Sequence, residues 1–168
     1  MAGGSTNGAG TLFGLNEIFN RPLSREELHN LCAKLGSDLN FCLEGGRQMT
    51  YGRGEILEKL PFEEMNISLI KPNDLGISAK EAYTKFSAKK NDDFKSEFGE
   101  RENFVNDLEW AVIDDYEELK LIKKAYPNSI MSGSGSTYFG INFDFAQKDG
   151  FWLANGLHAT SVGICVVD

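Results

Sequence analysis

Three short stretches of this chain carry residue types and spacings that could hold and move a phosphate. The first is Ala2-Gly3-Gly4-Ser5-Thr6, directly ahead of a segment with helical spacing. The N–H groups of a helix's first turn have no intrahelical acceptor and lie at the positive end of its dipole, so anions are stabilised there, and glycines let the backbone approach a ligand closely. The same composition also suits a disordered tail. The second is Gly36-Ser37-Asp38-Leu39-Asn40, between a helix and an expected strand. A carboxylate at such a junction can accept the proton of a substrate hydroxyl and align that hydroxyl with a phosphoryl group; it can equally serve a turn or a cap. The third is Ser132-Gly133-Ser134-Gly135-Ser136, ahead of the strand-like Tyr138-Phe139-Gly140-Ile141. This turn could pack under a nucleotide and donate N–H groups, or it could be a plain hairpin loop.

The elements that must position these stretches are legible in outline. Residues 3–20 predict a glycine-rich turn feeding a helix, with Leu12, Leu15, Ile18 and Phe19 on one face until Arg21-Pro22 ends it. Ser24 followed by Glu27 is a capping box; it opens a second helix whose stripe is Leu28, Leu31, Cys32 and Leu35, stopped by Gly36. Glycines at 45, 46, 52 and 54 predict two or three antiparallel strands between Phe41 and Leu60. Asn66–Lys71 reads as a buried strand ended by Pro72, and Ile77–Phe86 as a helix. Ser87–Glu102, polar and weakly periodic, reads as a mobile insertion. Val105, Leu108, Val112, Ile113, Tyr116, Leu119 and Ile122 follow helical spacing as one long helix or two abutting ones, broken before Pro127. Ala159–Asp168 is β-branched enough to be a closing strand. The mixture predicts an α+β fold with helices on one face of a sheet.

Composition narrows the partners. The 168 residues, 41% hydrophobic, suffice for one core, so a single compact domain is expected. A formal charge of -8 without clustered Lys and Arg speaks against nucleic acid, and positive field for a phosphorylated ligand must then be local. Cys32, Cys42 and Cys165 form no CxxC pair and have no metal-ligand spacing, so they read as small buried hydrophobes and no metal-binding residue is assigned. His29 and His158 read as structural or solvent-facing, and Trp110 and Trp152 as core or rim residues. Lacking a bilayer-length apolar run or a secretory pattern at the N-terminus, the chain is expected to be cytoplasmic, with no membrane partner.

Taken in order, these pieces resemble the GHMP small-molecule kinases, and in detail the branch acting on 4-diphosphocytidyl-2-C-methyl-D-erythritol. The resemblance is carried by AGGSTNGAGTLFGLN, GSDLNFCLEGG, TYGRGEILEKL, NDLEWAVIDDYEELKLIKKAY and MSGSGSTYFGI, five ordered segments spanning nearly the whole chain. It implies that Ala2, Gly3, Gly4, Ser5, Thr6 and Asn7 belong to the ATP phosphate loop, with Ser5 or Thr6 near Mg2+-bound phosphate oxygens. It further implies that Asp38 is the catalytic aspartate and that Ser132, Gly133, Ser134 and Gly135 form a turn supporting the nucleotide site. The implied cofactors are ATP and Mg2+. The implied reaction is γ-phosphoryl transfer to the 2-hydroxyl of the cytidylyl substrate, in the non-mevalonate route to isoprenoid precursors. For the fold it implies residues 1–60 as a helical remnant of the ATP-binding N-terminal domain and residues 61–168 as the C-terminal domain, with helices on an antiparallel ferredoxin-like sheet.

Departures from the family set further expectations. Family members carry, ahead of these motifs, a region with a catalytic lysine, most cytidine contacts and the proline-led first half of the phosphate loop. The resemblance therefore implies the C-terminal part of a kinase, inactive alone, whose partner is its own missing N-terminal half. Gly8 and Gly10 stand where the family prefers alanine, at about 1 kcal/mol each in a helix interior, so the first helix is expected to fray at its start. Two other readings stand beside this one: a GHMP kinase for a sugar or mevalonate-type alcohol, and a non-catalytic α+β interaction module.

Overall fold

A computed structural model describes residues 2–91, 94, 96 and 104–166. They form two compact units with separate cores, not the one core expected from chain length. The first unit is residues 2–64 together with the segment from Ala159; the second is residues 65–158.

In the first unit, α1 (Gly3–Ile18), α2 (Arg25–Leu35) and α3 (Leu39–Glu44) are followed by the antiparallel hairpin of β1 (Gln48–Tyr51) and β2 (Ile56–Lys59). The capping box is present in full: the Ser24 hydroxyl accepts from the Glu27 N–H at 3.3 Å, and the Glu27 carboxylate accepts from the Ser24 N–H at 2.8 Å. Leu28 and Cys32 of that helix are buried with Ala9, Leu39 and Leu43, whereas Leu35 is exposed. On α1 the face turned to the core is Ala9, Leu12 and Phe13; Leu15, Ile18 and Phe19, grouped with Leu12 on spacing alone, are exposed.

Two expectations fail in this unit. The strand expected directly after Gly36–Asn40 is instead the short helix α3, because Leu39, Asn40 and Leu43 share one buried face at helical spacing, while two strands do lie between Phe41 and Leu60 as β1 and β2. Gly45 then ends it at φ +65°, a conformation open to glycine. Residues 159–166 are not a strand. The apolar Ile164 inserts into the helical core, its N–H donates to the Leu43 carbonyl at 3.3 Å, and Gly163 passes so close that a Cβ there would lie 2.4 Å from the Leu43 oxygen.

The second unit has a four-stranded antiparallel sheet in the order β4 (Ile130–Met131), β5 (Tyr138–Ile141), β3 (Asn66–Pro72), β6 (Phe151–His158). This is the ferredoxin-like strand order. Around the sheet lie α4 (Ala79–Lys89), α5 (Asp107–Val112), a 3-10 turn (Ile113–Asp115) and α6 (Glu117–Ala125), so the long periodic stretch is two helices split at the turn. Their buried Ala82, Ala111, Val112, Leu119 and Ile122 share a core with Ile70, Met131, Tyr138 and Phe151. Strand β6 escaped sequence reading because Asn155 and Gly156 interrupt its alternation; Gly156 takes φ +70°, and the β3–β6 register shifts between Ile67 and Leu69. Of the expected insertion, residues 87–89 end α4, Phe94 packs edge-on against Phe86, and most of the rest lies outside the described residues. Trp110 and Trp152 are rim residues, 37% and 51% exposed. Of the cysteines, Cys32 is buried, Cys42 half-buried and Cys165 exposed, so the buried reading holds for the first alone.

Candidate phosphate-binding and catalytic site

The site is built on the start of α1. Helix geometry leaves the N–H groups of Gly3, Gly4 and Ser5 without intrahelical acceptors, and the first donor to be satisfied is Thr6, whose N–H reaches the Ala2 carbonyl at 2.9 Å. No side chain caps this end and no acidic residue stands in the first turn to compete with an anion. Nothing lies within 4 Å of where a Cβ would stand on Gly3 or Gly4, so a ligand could approach the backbone directly there. Ala2, Gly3, Gly4, Thr6 and Asn7 are exposed, and Ser5 is half-buried. The N-terminal stretch is thus the opening of a sixteen-residue helix, not a tail.

Helix α3 packs across this start. The Thr6 hydroxyl donates to the Ala2 carbonyl at 3.0 Å and lies 3.5 Å from Cys42 Sγ, and a Cβ on Gly8 would touch Leu39 Cδ2 at 3.4 Å. Asp38 immediately precedes Leu39. It occupies the N-cap position of α3 but makes no capping hydrogen bond, because its backbone is helical instead of extended. Exposed, it lines an open cavity of about 250 Å³ with Ser37, Phe41, Gln48, Thr50 and Gly54. Among the described residues Asp38 has neither a capping hydrogen bond nor an ion pair.

At the far end of α3 a second carboxylate has a structural assignment. Glu44 receives His29 Nε2 and Arg25 at 2.6 Å each, with Lys59 at 3.7 Å. Burial alone would raise the Glu44 carboxyl, but the hydrogen bonds from His29 and Arg25 hold it below its ordinary value. His29 is therefore structural, as its setting suggested.

The Ser132–Gly135 turn belongs to the second unit, where it links β4 to β5. The Ser132 N–H donates to the Thr137 carbonyl at 2.8 Å and the Gly135 N–H to the Ser132 carbonyl at 3.0 Å. The Ser134 and Ser136 hydroxyls donate to the Ile77 and Leu75 carbonyls at 3.2 and 2.5 Å. Sequence reading matched NDLE to a helix without a role. In the structure Asn106 and Glu109 both bond to the turn's flank at Met131. Glu109 also pairs with Lys123 at 3.1 Å, and burial, with Glu109 close by, pushes the Tyr138 phenol up. A signal for this existed, since NDLE and MSGSGS are both polar clusters framed by apolar core positions.

In the first unit the helix start leaves N–H groups open and Asp38 stands uncapped ahead of the helix packed on it; the glycine-serine turn lies in the second unit. Residues 1–46 match the model of the GHMP kinases N terminal domain. Over this stretch the chain is similar to the GHMP kinases. It is similar to the 4-diphosphocytidyl-2-C-methyl-D-erythritol kinase of Prochlorococcus marinus (strain NATL1A), 33% identical over 187 aligned positions covering 88% of this chain and 56% of that one. The enzyme of the same name from Thermoanaerobacter pseudethanolicus is 37% identical over 169 positions, with the same two coverages. The chain therefore spans just over half the length of these relatives. A solved structure of 4-(cytidine 5'-diphospho)-2C-methyl-D-erythritol kinase superposes with a TM-score of 0.70 over 94% of this chain and 65% of that one; at 23% identity it shows a shared fold. Among the described residues no helix is long and apolar enough to cross a membrane.

Proposed function

We infer that this chain carries phosphate-binding and proton-accepting parts of an ATP-dependent kinase for the 2-hydroxyl of 4-diphosphocytidyl-2-C-methyl-D-erythritol, in the non-mevalonate route to isoprenoid precursors. The observation that carries this reading is the packing of the first turns of α1 against α3, at whose start Asp38 stands uncapped. The ATP phosphates lie over the N–H groups of Gly3, Gly4 and Ser5, beside the hydroxyls of Ser5 and Thr6, where backbone donors and the helix dipole offset negative charge. Asn7 completes this loop, and Ala2 leads into it. Asp38 accepts the substrate hydroxyl proton and orients its oxygen toward the transferred phosphoryl. Mg2+ would be held largely by ATP phosphate oxygens and water. Bound there, Mg2+ would neutralise charge developing on the phosphates. The site then works in the cytoplasm, where its nucleotide is abundant.

The test is ADP release from MgATP with the cytidylyl substrate. It is run on the chain alone and on the chain fused to the remainder of the Thermoanaerobacter pseudethanolicus kinase that it does not span. Turnover in the fusion supports the reading. A folded fusion that neither binds MgATP nor transfers phosphate to this alcohol overturns it, and preferential transfer to a sugar or mevalonate-type alcohol redirects the substrate.

A further inference from the structure

One carboxamide from outside the hairpin binds two carbonyls of the glycine-serine turn and its flank. Asn106 caps α5: its Oδ1 accepts from the Leu108 N–H at 3.0 Å. A capping asparagine needs only that oxygen. Here its Nδ2 donates as well, to the Met131 carbonyl at 2.7 Å and the Gly133 carbonyl at 2.8 Å. From the next turn of the helix Glu109, buried at 8% exposure, accepts from the Met131 N–H at 3.2 Å. The carbonyls of Met131, Ser132 and Gly133 are thus all engaged. Among the described residues the N–H groups of Gly133 and Ser134 have no partner. Gly133 sits at φ +57°, and successive N–H groups around a left-handed residue form a concavity suited to an anionic oxygen.

We propose that Asn106 is a positioning residue for this concavity: by holding the Met131 and Gly133 carbonyls it leaves the Gly133 and Ser134 N–H groups presented to a phosphate oxygen of a nucleoside triphosphate. The proposal rests on the kinase reading above for its ligand and on the hydrogen bonds of this unit for its mechanism. Without the carboxamide, the peptide units flanking Gly133 can turn. A carbonyl oxygen would then stand where an N–H stood, and two oxygens facing one another repel.

The test separates capping from clamping. Asn106→Ser retains a good capping oxygen and adds no charge, but its short side chain cannot span two carbonyls; Asn106→Ala loses both roles. Amide hydrogen exchange and 15N shifts are read on the whole chain, free and titrated with MgATP. In Asn106→Ser the expected result is a thermal midpoint above that of Asn106→Ala, because the cap is kept, with the Gly135 N–H exchanging on the order of tenfold faster than in the parent as the turn loosens. The MgATP-induced shifts of Gly133 and Ser134 should disappear while those of residues 3–7 persist. Unchanged exchange and unchanged shifts in that variant overturn the role of Asn106. Shifts at residues 3–7 of the unsubstituted chain with none at Gly133 and Ser134 overturn the turn as a ligand surface. An absence of shifts anywhere overturns the nucleotide reading and the ligand half of this proposal with it, and is told apart from a failed clamp by the exchange of Gly135.

Discussion

The Thr6 hydroxyl lies 3.5 Å from Cys42 Sγ, joining the first turn of α1 to the helix that Asp38 precedes. Thirty-six positions separate the two residues in the chain, and Leu39, the neighbour of Asp38, packs against Gly8 of the same helix.

From this arrangement Asp38→Asn is expected to lower phosphoryl transfer in the fused kinase by roughly 10²–10⁴-fold, the range for loss of a general base. MgATP affinity should hardly change, because the helix N–H groups are untouched. Steady-state ADP release and calorimetric titration read the two effects separately, and turnover near the unsubstituted level would remove Asp38 from the chemistry.

The capping box sets the entry to α2. Ser24→Ala removes the acceptor of the Glu27 N–H and is expected to cost about 1 kcal/mol in the first unit. A urea titration followed by circular dichroism would show a lowered midpoint with unchanged slope.

Gly163 tests the docking of the C-terminal segment. An added methyl would lie 2.4 Å from the Leu43 oxygen and 2.5 Å from the Glu44 carbonyl carbon, so backbone must move. Gly163→Ala is expected to destabilise the first unit by about 1–3 kcal/mol and to expose residues beyond 159 to limited proteolysis. A variant as protease-resistant as the parent would show that the segment tolerates the shift.

The Glu44 cluster predicts a pH dependence. A carboxyl held below its ordinary value contributes stability above the usual glutamate range, and that contribution is lost as pH falls through the lowered pKa. Glu44→Gln should therefore be less stable than the parent by about 1–2 kcal/mol at neutral pH. The gap should close on acidification. Urea midpoints for both proteins across the acidic range measure it, and a constant gap would mean that charge on Glu44 contributes nothing.

Local signals carried much of the fold. Ser24 and Glu27 announce a helix start because both bonds of the box lie within one turn, and Asn66–Lys71 reads as a strand because the β-branched and apolar Ile67, Leu69 and Ile70 run up to Pro72. The phosphate-suited helix start, Asp38 and the glycine-serine turn were also visible, since each depends on residues adjacent in the chain. Where the apolar residues point was not. Leu15, Ile18 and Phe19 have the spacing of a core face, yet a helix buries whichever side its neighbours cover, and α2 and α3 cover Ala9 and Phe13.

Residues adjacent in the chain settle the local chemistry: which N–H groups a helix start leaves open, which carboxylates exist, and which turn can adopt left-handed glycines. The packing of whole elements settles the rest. That Asp38 lacks a capping bond, that Ile164 fills a helical core in place of a sheet edge, and that Asn106 reaches past its own helix to Gly133 all depend on contacts between residues far apart in the chain. Pairwise spacing does not encode such contacts, because they are selected by the packing of whole elements and the pairing of every buried polar group at once.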